Sequence, residues 1–112
     1  MNKYTDENGN IAVIYSPGFG AGWYTWNYEY PEMVYDPSIV SILLSDDTEE
    51  NKTQAIILHA SIKYPDAYLG GAGDLTVRFL KPGTLFRINE YDGSESIETQ
   101  DSVNWMIAWF DI

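Results

Sequence analysis

Carboxylates are the side chains with which this sequence offers the most chemistry. Asp46 with Asp47, Glu49 with Glu50, and Asp92 with Glu95 are close enough to work as an acid and a base, or to hold a hard cation. Composition weighs against that use. Asp and Glu number 17 against 6 Lys and Arg, for a formal charge of −11. In so acidic a chain neighbouring carboxylates arise by composition alone, and a solvated charged surface is the favoured reading. The run Asp6-Glu7-Asn8-Gly9-Asn10 has the flavour of a calcium loop, but its glycine is misplaced and the distal bidentate Glu is missing. Cysteine is absent, which removes disulfides and thiolate metal sites. His59 is the one histidine, and no nucleophile-plus-base pattern accompanies it. A helix-surface or boundary position suits it best. Ser94 and Ser96 lie in turn-like sequence without a nucleophile elbow. No catalytic residue, metal or cofactor is therefore assigned.

The run Gly18-Phe19-Gly20-Ala21-Gly22-Trp23 invites comparison with phosphate-binding loops and fails both templates. One needs its third glycine a place later, and the other needs a Gly-Lys-Ser/Thr ending. Residues 16–50 hold no Lys or Arg to meet a phosphate. The simpler reading is a tight turn where backbone passes close to another element. A second glycine cluster covers 70–73. Together the two loops can line a shallow pocket with Trp23, Trp26 and Tyr68 as walls for a flat ligand such as a nucleobase. Arg78 and Arg87 are the cations nearest to such a use, though offsetting acids across a sheet is the stronger expectation for both.

Charge is also patterned. Glu29, Glu32, Asp36, Asp46, Asp47, Glu49 and Glu50 follow one another without an intervening base, and so do the acids from Glu90 to Asp111. Such a surface repels phosphate, so direct nucleic-acid binding is not expected, and anionic membranes are disfavoured too. It attracts basic surfaces, including grooves that hold nucleic acid. Six aromatics fall among residues 23–35. That is more than one short segment can turn inward, so Trp26, Tyr28 and Tyr30 are candidate interface anchors.

The elements that must position these residues read as one α+β domain spanning 1–112. Aromatic residues at 15% and hydrophobic residues at 45% exclude a disordered acidic tail. Asn8-Gly9 marks a turn, with Tyr4 in a short strand before it, and Ile11–Tyr15 is a strand. Residues 24–30 fit either a short strand or an irregular aromatic loop. Asp36-Pro37 starts a helix that presents Ile39, Ile42 and Leu43 on one face. Thr48 caps a second helix with the stripe Ile56, Ile57, Ala60 and Tyr64, ended by Pro65. The isoleucine content of residues 55–62 also fits a strand. Strands follow at 75–80, 85–91 and 94–99, the last two joined at Asp92-Gly93, and a final strand is expected over 103–112. The expected architecture is an antiparallel sheet of about four to five strands with two helices packed on one face. No signal peptide and no membrane span are expected.

Three stretches resemble segments of short, mostly uncharacterised bacteriophage and prophage proteins. They are Tyr15-Ser16-Pro17-Gly18-Phe19-Gly20-Ala21-Gly22-Trp23-Tyr24-Thr25-Trp26-Asn27, Tyr64-Pro65-Asp66-Ala67-Tyr68-Leu69-Gly70-Gly71, and the segment from Phe86 to Ser96. The resemblance transfers no catalytic residues. It implies a phage-encoded accessory protein acting in the cytoplasm of the bacterial host, a class that often counters host defences. The first expectation is a non-enzymatic inhibitor that docks on the basic groove of a host nucleic-acid-binding complex, such as a CRISPR effector. Glu29, Glu32, Asp36, Asp46, Asp47, Glu49 and Glu50 would supply charge, with Trp26, Tyr28 and Tyr30 as anchors. The alternative is a binder of a nucleotide signal that uses Trp23, Tyr68, Arg78 and Arg87.

Overall fold

The computed structural model describes residues 2–102 and residue 108. The strand expected over 103–112, and Asp111 with it, lies outside the described residues. Among the described residues there are four strands and two α-helices: β1 (Ile11–Tyr15), α1 (Pro37–Leu43), α2 (Glu49–Lys63), β2 (Thr76–Leu80), β3 (Phe86–Tyr91) and β4 (Ser94–Thr99). The protein is α+β. Its strands are divided between two antiparallel pairs, β1 with β2 and β3 with β4, rather than joined in one sheet.

Local chemistry accounts for the helices. Asp36 caps α1 by accepting from the backbone N–H groups of Ser38 and Ile39 at 2.9 and 3.2 Å, and Pro37 takes the first turn, where no N–H is needed. Thr48 Oγ1 accepts from Asn51 N–H at 3.1 Å to cap α2. Glu49 and Glu50 occupy its first turn and Lys63 its last, each sign at the favourable end of the helix dipole. Tyr64 closes the helix and Pro65 prevents its continuation. Of the expected α2 stripe, Ile56, Ala60 and Tyr64 are buried, whereas Ile57 is exposed. Residues 24–30 form no strand; Tyr24–Trp26 is a single 3₁₀ turn. Tyr4 lies in no named strand: Thr5 bridges to Ile11, and Tyr4 O accepts from Ala12 N–H.

Ile11–Tyr15 is apolar throughout because β1 is covered on both faces. Ala12 and Ile14 join Trp23, Met33, Ile39, Val40, Ile56, Ala60 and Tyr64 in the main core, beneath the helices. Val13 points the other way, into a second cluster with Val34 and Leu80, flanked by Phe86, Ile88 and Ile97 of the β3–β4 ribbon. The ribbon turns at Asp92-Gly93, where both residues have positive φ (49° and 83°), the geometry of a tight hairpin. The ribbon is fastened to the glycine-rich loop after β1, not to β2. Glu95 N–H donates to Ser16 O at 2.7 Å, Ser94 Oγ donates to Pro17 O at 2.8 Å, and Gly20 N–H donates to Asp92 O. β2 pairs with β1 in the register Ile11 with Leu80 and Tyr15 with Thr76, and the sequence neighbours β2 and β3 belong to different sheets.

Candidate functional site

The glycine-rich loop is an anion cradle, and the anion is a side chain of the protein itself. Glu95, on β4, is fully buried. Its Oε1 accepts from Ser16 N–H at 2.9 Å, and its Oε2 accepts from Trp23 N–H at 3.0 Å, Thr25 N–H at 2.8 Å and Thr25 Oγ1 at 2.5 Å. Four donors converge on one carboxylate, and among the described residues no Lys or Arg approaches it. Glu95 is therefore not part of a solvated acidic surface, which corrects its pairing with Asp92. Period-two alternation carries the signal for this: Glu95 shares a face of β4 with Ile97 and Thr99.

The two glycine clusters do meet, but backbone to backbone. A Cβ on Gly71 would lie 2.9 Å from both Ala21 O and Gly22 O. Trp23 lies beneath them, fully buried, its Nε1 donating to Met33 O at 3.3 Å. Trp23 is thus a core residue and not the wall of a pocket. Arg78 and Arg87 sit in separate strand pairs. Arg87 Nη2 donates to Glu98 Oε1 across the ribbon at 2.7 Å, as its position opposite an acid suggested. The hydrogen bond from Asn89 Nδ2, together with this one from Arg87, holds the Glu98 carboxyl below the usual range. Arg78 is exposed opposite Val13.

Asp36 is likewise internal. Besides capping α1, it accepts from Tyr64 OH at 2.5 Å and lies 2.9 Å from His59 Nε2 and 3.4 Å from Lys63 Nζ. Burial works against its charge, yet the hydrogen bonds from Tyr64, His59 and Ile39 outweigh it and hold the carboxyl below its usual range. Burial and the bond to Asp36 together push the Tyr64 phenol up. The expectation that Asp36 meets a partner is corrected: its charge is spent joining α1 to α2. His59 is the boundary residue its surroundings implied.

Three groups of the candidate partner-binding residues remain. Asp46 and Asp47 are exposed in the turn between the helices, and Glu49 and Glu50 are exposed in the first turn of α2. Asp47 accepts from Thr48 N–H and Asn51 Nδ2, both at 2.8 Å, which lowers its pKa. Glu49 stands 3.7 Å from Lys52. Glu32 is half-buried near Tyr64. Trp26, Tyr28, Glu29 and Tyr30 come together at the opposite end of α2, about 22 Å away by the rise of a helix of 15 residues. These two groups of residues therefore lie at opposite ends of α2.

At that far end the residues from 26 to 30 face Asp66, Ala67 and Tyr68 across a cleft of about 310 Å³. The cleft is tied at several points. Asn27 Nδ2 donates to Tyr68 O at 2.9 Å, Tyr68 N–H donates back to Asn27 Oδ1 at 2.7 Å, and Tyr30 OH donates to Pro65 O at 2.7 Å. Trp26 and Tyr68 stand with ring centroids 5.0 Å apart and planes tilted by 55°. The rear of the Trp26 ring rests on glycine backbone: a Cβ on Gly22 would come 2.6 Å from its Cγ and Cδ1, and one on Gly93 would come 2.9 Å from Cζ2. The glycine-rich loop is what lets this indole lie flat. Asp66 (φ 68°) is one of two non-glycine residues with left-handed backbone among the described residues, and it was not anticipated as part of the site. None of the six Lys and Arg side chains lines the cleft.

A second groove, of about 410 Å³, runs beside it between Tyr24, Tyr28, Val34, Tyr35, Phe86 and Ile88. Among the described residues no group of three or more His, Cys, Asp and Glu is arranged to hold a metal ion. No helix of the described residues is long and apolar enough to cross a membrane. No family model, curated protein or solved structure matches the chain.

Proposed function

We propose that this protein is a non-enzymatic binder of basic protein surfaces. It engages a partner through the aromatic and acidic residues at the C-terminal end of α2 and is guided to that partner by its overall negative charge. The observation that carries this reading is the cleft between residues 26–30 and 66–68. It gathers the exposed Trp26, Tyr28 and Glu29 and the half-buried Tyr30 beside Asp66 and Tyr68, with no Lys or Arg in its lining. A formal charge of −11 accelerates encounter with a cationic receptor, and partly exposed aromatics supply most of the affinity once docked. The resemblance to phage proteins favours a host nucleic-acid-binding complex as the partner, met in the bacterial cytoplasm and inhibited by occupation of its basic surface.

Competition tests the proposal. A nucleic-acid-binding protein captured from bacterial lysate should be released by added duplex DNA, and its affinity should fall by about tenfold between low and physiological salt. Reversing Glu29, Asp46 and Glu50 to Lys should abolish capture. A partner held equally tightly at all salt concentrations, and not displaced by DNA, would overturn the reading.

A further inference from the structure

We infer that the cleft is a seat for a single arginine side chain presented by the partner. The inference rests on the reading of the protein as a binder of basic surfaces and names the group recognised. Trp26 and Tyr68 keep 39% and 45% of their surfaces exposed. The two rings touch, with centroids 5.0 Å apart and planes tilted by 55°, so a cation would stack on the exposed part of this aromatic pair rather than enter between its members. Glu29 and Asp66 stand on the same cleft, and among the described residues no ion pair engages either carboxylate.

Electrostatics selects the sign of the occupant, and the rings select its shape. An anion would enter an acidic cleft that no Lys or Arg lines. A guanidinium is flat, weakly hydrated and carries five N–H donors in a fixed fork. It can stack on an indole while its edge reaches carboxylates, which a compact, strongly hydrated ammonium does less well. The seat is also formed in advance. Paired hydrogen bonds between Asn27 and Tyr68, and the Tyr30 bond to Pro65 O, fix the two walls relative to each other, so little ordering is needed on binding.

The probe is acetyl-Gly-Arg-Gly-amide, titrated against isotope-labelled protein. The Trp26 indole N–H and the Asn27 side-chain amide report occupancy, with Trp26→Phe to assign the former. Saturable shifts are expected with the arginine peptide, affinity about fivefold weaker with lysine in its place, and no saturation with the neutral citrulline peptide. The pair Glu29→Gln and Asp66→Asn alters only exposed side chains and should weaken the arginine peptide about tenfold without changing Tm. Equal binding of the citrulline peptide, or of adenosine, would overturn the inference. So would undiminished binding by the paired variant. A basic protein bound equally well by wild type and by that variant overturns the seat and leaves the broader reading standing. Saturable arginine binding by a protein that captures no basic partner does the reverse.

Discussion

Glu95 and Glu29 are the same residue type in the same acidic chain, and the fold gives them opposite duties. Glu95 is sealed from water and accepts from three backbone N–H groups and a hydroxyl, so its charge builds the loop that carries Trp23 and Trp26. Glu29 is exposed on an aromatic cleft, and among the described residues none donates to its carboxylate, so its charge is available to something outside. Asp36 sides with Glu95, and Asp46, Glu49 and Glu50 side with Glu29. What separates the two groups is the number of donors the folded chain aims at each carboxylate. Net charge overstates the surface available for recognition, because part of it is consumed inside.

The sharpest way to break this comparison is to remove Glu95. Glu95→Ala would leave the N–H groups of Ser16, Trp23 and Thr25 buried without an acceptor, at a cost of about 3–5 kcal/mol. Against the total stability of a domain of this size, about 5–15 kcal/mol, that is close to unfolding. Urea denaturation should show the loss as a lower midpoint. Ser96→Ala, one residue away and exposed, should change stability by less than about 0.5 kcal/mol. A Glu95→Ala protein as stable as wild type would show that the cradle is satisfied without it.

Asp36→Asn sharpens the comparison, since asparagine still caps a helix but cannot carry the charge that Tyr64, His59 and Lys63 address. A loss of about 2 kcal/mol is expected at neutral pH. The pH dependence has a definite sign. A carboxyl whose folded pKa is depressed adds stability above its unfolded pKa of about 3.9, and that stability disappears as pH falls through the lower folded value. Wild type should therefore lose stability on acidification more steeply than Asp36→Asn. At the alkaline end Tyr64 works in the opposite sense. Its raised pKa keeps it neutral when folded, so stability is full below the unfolded tyrosine pKa of about 10 and falls as pH rises beyond it. Tyr64→Phe should flatten that alkaline limb. Thermal melts at stepped pH measure both.

Capping residues and hairpin residues were readable in the sequence because their chemistry is local. Asp36-Pro37, Thr48 and Asp92-Gly93 each act on backbone within four residues, and each sits where local rules place it. Pairing was not readable. β1 and β2 lie about sixty residues apart, so nothing near either strand names its partner, and two separate ribbons replace the single sheet that consecutive hairpins suggest. The aromatic block could be divided only by the fold: Trp23 and Trp26 stand three residues apart, one at the centre of the core and the other on the cleft. Trp26, Tyr28, Glu29 and Tyr30 were singled out from composition and spacing, and the fold brings them to one cleft. Asp66 was missed because a lone acid after a proline carries no signal of the cleft it completes.

Gly22→Ala tests the link between the buried carboxylate and the exposed site. The new Cβ would sit 2.6 Å from the Trp26 ring, so the indole must move off its seat. Overpacking of this kind costs about 1–3 kcal/mol. The Trp26 indole resonance should shift, and binding of a basic partner should weaken beyond what the stability loss explains. Gly9→Ala makes a useful contrast, because its Cβ would meet nothing within 4 Å and only the left-handed backbone is strained.

The smallest effect on stability should come from the acids most conspicuous in the sequence. Asp46→Asn, Glu49→Gln and Glu50→Gln together remove three exposed charges from the first turn of α2 and the loop before it. Glu49 and Glu50 lose their favourable position on the helix dipole, and the Glu49 contact with Lys52 is a weak surface pair, so the sum is about 1 kcal/mol or less. Their loss should instead appear in association kinetics. Charges about 22 Å from the cleft, at the other end of α2, lie beyond one screening length at physiological salt, so they steer the encounter at low salt without holding the complex. The association rate with a basic partner should drop at low ionic strength and converge with wild type as salt rises, while dissociation stays unchanged. A faster dissociation rate would mean that the turn touches the partner directly, and the division between guiding charge and binding cleft would have to be redrawn.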